Sequence, residues 1–148
     1  MIEVPESDLE EWIGELKPYQ REALDEMMEE MEAEEAAKIW LTSQGPEDII
    51  SFGGPRDSEP FWDKFKSEFQ KFLCKEDEYV EFKKEIREKS NVTKQLLISS
   101  ISAAIGSTIG FAATLLAPAV AVMLNLVGHM GVNAYCEGVD FETEEVSG

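Results

Sequence analysis

The sequence predicts an all-α fold in which acidic amphipathic helices precede an apolar helical hairpin. Three observations lead there. Apolar residues recur at i, i+3, i+4 spacing across residues 9–86, the signature of helices with one buried face. No segment alternates with period two for long enough to read as a strand. The forty-two residues Gln95–Cys136 contain no Asp, Glu, Lys or Arg, in a chain that is otherwise rich in charge.

The first element follows from "SDLEEWIGELK". Ser7 and Glu10 stand at capping-box spacing, and Leu9, Trp12, Ile13 and Leu16 line one face. Pro18 suits the first turn of a second helix, where its missing N–H costs nothing. The spacing of Tyr19, Leu24, Met27, Met28, Met31, Ile39 and Trp40 predicts that this helix runs to about Ser43. Glu34 and Glu35 interrupt the stripe, so it is no coiled-coil heptad. The three methionines read as core, or as an adaptable partner surface.

Gly45 and Pro46 stop the arm, and residues 45–60 read as a Gly/Pro-rich linker. Phe61, Phe65, Phe69 and Phe72, beside Trp62 and Leu73, then mark a strongly amphipathic helix. It could pack in a core or lie on a membrane surface. Asp77 is placed to cap a further helix carrying Tyr79, Phe82 and Ile86. Five units result: an acidic arm (1–44), the linker (45–60), aromatic helices with a basic neck (61–94), the apolar hairpin (95–136) and an acidic tail (137–148).

The hairpin raises the question of its solvent. Residues 95–117 are long enough to span a bilayer, which takes about 20 apolar residues. Pro118 is expected to turn the chain, and 119–136 would form a second, weaker span. Ser102, Gly106, Gly110 and Thr114 fall at successive i+4 positions, a stripe of small residues that lets helix backbones approach. Soluble helix crossings use the same device. Lys83, Lys84, Arg87, Lys89 and Lys94 form a basic neck just before the first span, as the positive-inside rule places a cytoplasmic flank. Against insertion, Asn125, His129 and Asn133 form a polar stripe at i, i+4, i+8 that is expensive to expose to lipid. His129 reads either as a protonation switch or pore-lining group, or as a hydrogen-bonding group within the hairpin. In the soluble alternative, the amphipathic helices sheathe the hairpin, as in the soluble forms of some pore-forming proteins. That likeness is one of architecture only.

Charge and chemistry narrow the function. The net charge of −18 is concentrated at the start, where residues 1–60 hold eighteen acids and four bases. Such a surface repels phosphate backbones, so nucleic acid is not an expected partner. It permits a basic protein partner or simply keeps the chain soluble. With one histidine, no Glu-x-x-His pair, no nucleophile elbow and no phosphate loop, neither a metal centre nor a catalytic site is expected. No cofactor is expected either. Cys74 and Cys136 form no framework or metal-ligand pair of recognised spacing and suggest a reducing compartment. The sequence therefore predicts a non-enzymatic, membrane-associated effector or anchoring regulator at the cytoplasmic membrane, able to form homo-oligomers. The alternative is a soluble helical interaction protein, inhibitor or immunity-type, that buries the hairpin and presents acidic faces to a basic target.

Overall fold

The computed structural model describes residues 2–44 and 59–139 and folds them into eight helices, with no strand among them. In chain order these are α1 (Leu9–Ile13), α2 (Pro18–Met28), α3 (Ala33–Gln44), α4 (Glu59–Cys74), α5 (Val80–Glu88), α6 (Lys94–Ile109), α7 (Ala113–Met130) and α8 (Val132–Glu137). Most of the expected linker and tail, residues 45–58 and 140–148, lies outside the described residues.

The acidic arm holds one more helix than the periodicity predicts. The long helix expected from Pro18 to Ser43 breaks between Met28 and Ala33. Charge explains the site of the break. Glu29 and Glu30 would oppose the dipole at the end of α2, whereas Glu34 and Glu35 favour the first turn of α3. The turn brings both pieces onto the core, with Leu24, Ala36, Ala37, Trp40 and Leu41 buried. Two expected caps are also replaced. Asp8 rather than Ser7 precedes α1 and makes no side-chain cap bond. Tyr79, in the left-handed region at φ 55°, precedes α5 in place of Asp77.

The apolar stretch divides at Gly110, not at Pro118. Gly110 sits at φ +76°, and the Gly106 carbonyl accepts from the N–H groups of both Gly110 (2.9 Å) and Phe111 (3.0 Å). This glycine-terminated helix end combines the 5→1 bond of an αL cap with the 6→1 bond of a Schellman motif. A Cβ on Gly106 would run into the Phe111 carbonyl oxygen, so this glycine leaves room for the turn itself. Pro118 lies inside α7 and is buried.

Helix α7 is the centre of the fold. It packs most extensively on α6, then on α3 and α1, with α8 and α2 against its flanks. Leu116 and the run Pro118–Leu124 are buried. The aromatic face of α4 covers α6, with Phe65, Phe69 and Phe72 wholly enclosed, and reaches α8 through an edge-to-face contact of Phe69 with Tyr135. Cys74 and Cys136 form a disulfide that ties the end of α4 to α8. The expectation that these two residues form no framework and suggest a reducing compartment is thereby corrected. The pairing is non-local, across 62 residues, and sequence spacing carries no signal for it.

Candidate functional site

Pro118 deprives the Thr114 carbonyl of its usual partner, because proline has no N–H to donate four residues back. The side chain of Gln20 supplies the donor instead. Its Nε2 donates to Thr114 O at 2.7 Å, while its Oε1 accepts from the Lys17 N–H at 3.3 Å. Gln20 is only 1% exposed, and this double use explains how a buried amide is tolerated there. One residue further along, Trp40 Nε1 donates to the Leu115 carbonyl at 2.9 Å. Side chains of α2 and α3 thus hydrogen-bond the backbone of α7, and Gln20 fills the vacancy that Pro118 leaves.

The small-residue stripe does not lie on one helix. Ser102 and Gly106 belong to α6, Gly110 to the turn, and Thr114 to the start of α7. Ser102 is buried without a hydrogen bond to its Oγ. It shares with Gln20 and Thr114 the lining of a small cavity of about 220 Å³.

The polar stripe is likewise split, because the chain turns at Gly131 (φ +93°) and Asn133 falls on α8. His129 is exposed, and its Nδ1 lies 3.2 Å from Glu6 Oε2. It fastens the N-terminal segment, not the first apolar helix. Gly128 assists, since a Cβ there would meet the Pro5 carbonyl oxygen at 2.5 Å. The segment before α1 therefore crosses α7 as a strap, with Ile2 buried.

The basic neck serves several structural ends. Lys83 is buried, lies 5.8 Å from the centre of the Phe72 ring, and donates through Nζ to the Lys75 carbonyl. Burial, followed by the nearby charge of Arg87, pushes its ionisation below the usual lysine range. Lys94 pairs with Glu11 at 3.5 Å and lies over Trp12. Lys84 and Lys89 are exposed, and Arg87 lines a cleft beside the strap.

That cleft is an open groove of about 970 Å³ between the strap, α5, Val92 and the α7–α8 junction. Sequence reasoning missed it, because its walls come from four separate parts of the chain. Among the described residues, no group of three His, Cys, Asp or Glu side chains is placed to hold a metal ion. One described helix, Ala113–Met130, is long and apolar enough to cross a membrane by length and composition, with half of that window buried. Comparison of the chain with protein-family models, curated proteins and solved structures gives no match.

Proposed function

We propose that this protein is a non-enzymatic helical interaction protein that keeps its apolar helices covered and meets a basic protein partner through the acidic faces of α1–α3. The observation that carries this reading is the division of labour in those helices. Trp12, Leu24, Trp40 and Leu41 are buried in the core, while Glu15, Glu22, Asp25, Glu26, Glu29 and Glu35 are exposed. Burial of Leu116 and of Pro118–Leu124 on α7 supports a protein that needs no lipid to satisfy it. An array of carboxylates steers basic partners and repels phosphate backbones. The Cys74–Cys136 bond supports an oxidising compartment over the cytoplasmic side of a membrane.

Full-length protein should be monodisperse without detergent and should bind a polycation such as polylysine with strong salt dependence. Replacing Glu22, Asp25, Glu26 and Glu29 together by Gln should weaken that binding far more than an equal number of changes elsewhere. Equal weakening from changes anywhere on the surface would sink the idea of a specific face. A second reading, insertion of α6 and α7 into a bilayer, is favoured by one observation. Ala113–Met130 has a mean hydropathy of 1.6 over 18 residues. Co-flotation of the folded protein with liposomes would establish that reading instead.

A further inference from the structure

The cleft beside the strap is separate from the acidic faces, and it combines features that a solvated surface does not need. Val92 and Met130, two of the large apolar side chains most exposed in the described residues at 41% and 51%, both line it. Val4, Ile86 and Val132 extend the apolar wall, and no aromatic side chain contributes. Its polar lining is sparse: Glu3, Asn133 and Arg87. Arg87 is exposed, and among the described residues no carboxylate lies within ion-pairing distance of it. A guanidinium with no carboxylate beside it among the described residues, at an apolar cleft, is conspicuous in a chain of net charge −18.

The strap side of this cleft is held in place from behind. Gly128 admits the Pro5 carbonyl, Glu6 is fastened to His129, and Ile2 is buried. On the other side, Gly131 breaks the helix and leaves Met130 and Val132 at the junction. The volume lies within the range of small-molecule sites. An aliphatic lining fits a flexible alkyl chain, whereas flat ligands gain from aromatic walls.

We propose that the cleft binds a single-chain anionic amphiphile, with its carboxylate on Arg87 and its alkyl chain along Val92, Met130 and Val132. Arginine is suited to the head, because its planar fork matches a carboxylate with two parallel hydrogen bonds.

Calorimetry on the full-length, disulfide-bonded chain tests this with two amphiphiles of equal chain length, each kept below its micelle concentration. Dodecanoate should bind at one molecule per chain, at least about tenfold more tightly than dodecyltrimethylammonium. The overall charge would favour the opposite order, so the preference isolates Arg87. Arg87→Gln should weaken dodecanoate about tenfold, and Met130→Gln about fivefold. Both side chains are exposed, and thermal melts would verify that each variant folds.

Three results would overturn the proposal: tighter binding of the cation, unchanged dodecanoate affinity in both variants, or several molecules bound per chain with loss of helix. Dimerisation that Met130→Gln abolishes would also overturn it, by assigning the cleft to a second copy. None of these outcomes bears on the acidic faces of α2 and α3, which contribute no residue to the cleft.

Discussion

Gln20 donates to the Thr114 carbonyl although 94 residues separate them, and the pair exists because Pro118 leaves that carbonyl open. Gln20→Leu should therefore cost about 1–3 kcal/mol, the penalty for leaving a buried carbonyl without a donor. In a Pro118→Ala background the new backbone N–H can reach Thr114 O, so the same Gln20→Leu change should cost much less. A double-mutant cycle by urea denaturation measures the difference. Equal costs in the two backgrounds would detach Gln20 from the proline.

Gly106 and Gly110 should fail for different reasons. Gly110→Ala meets no neighbouring atom but places a side chain at φ +76°, for a loss of about 1 kcal/mol. Gly110→Asn should be milder, since asparagine tolerates that conformation. Gly106→Ala must push back the Phe111 carbonyl and should cost about 1–3 kcal/mol. Thermal melts of the three variants would rank them. A harmless Gly106→Ala would remove the tight turn from the account of why α6 ends.

The helices with polar outer faces were legible in the sequence because period 3.6 reports directly which side is buried. Phe61, Phe65, Phe69 and Phe72 needed nothing else. The apolar stretch has no polar face, so its periodicity is silent and its breakpoints rest on single residues. There Pro118 misleads. A proline ends a helix only if nothing else serves the carbonyl it orphans, and Gln20 lies far away in sequence. The Ser102, Gly106, Gly110 and Thr114 spacing misleads similarly, since a glycine that closes a turn looks the same in sequence as one that admits a neighbouring helix. The disulfide and the cleft are products of the fold and have no local signature.

Breaking the disulfide should loosen one corner of the molecule. Cys136→Ser is expected to lower stability by about 2–4 kcal/mol, mostly by freeing the unfolded chain. Denaturation with and without reductant would give the same difference in the unaltered protein. Thiol counting on denatured, unreduced protein should find no free sulfhydryl. Two would contradict the bond.

The Tyr79 hydroxyl bonds to Glu68 Oε1 at 2.7 Å and to Thr108 Oγ1 at 2.9 Å. Burial chiefly pushes its ionisation well above the ordinary tyrosine range; Thr108 opposes the shift and Glu68 adds to it. A raised value in the folded state means that the fold holds the proton more tightly than the unfolded chain does. This contribution is complete below about pH 10, where free tyrosine begins to ionise, and is lost as pH climbs beyond it. Lys83 acts oppositely, its contribution growing as pH rises toward the usual lysine value. The comparison must therefore be with Tyr79→Phe, which should lose less stability than the unaltered protein above pH 10. Parallel alkaline denaturation curves would show that Tyr79 keeps no proton advantage in the fold.

The strap has a consequence for how the chain is made. Glu6 meets His129 across 123 positions, and α1–α3 all precede the helix they cover. During synthesis α1–α6 leave the ribosome before α7, which emerges with most of its covering already made and α8 still to follow. The order limits how long the most apolar segment stands bare in water, where a chaperone or another nascent chain would compete for it. The cost is speed, since contacts between distant parts of a chain form slowly. Refolding of the disulfide-bonded protein, followed by tryptophan fluorescence, should thus be slower than the microsecond-to-millisecond range of bundles whose helices touch only their sequence neighbours.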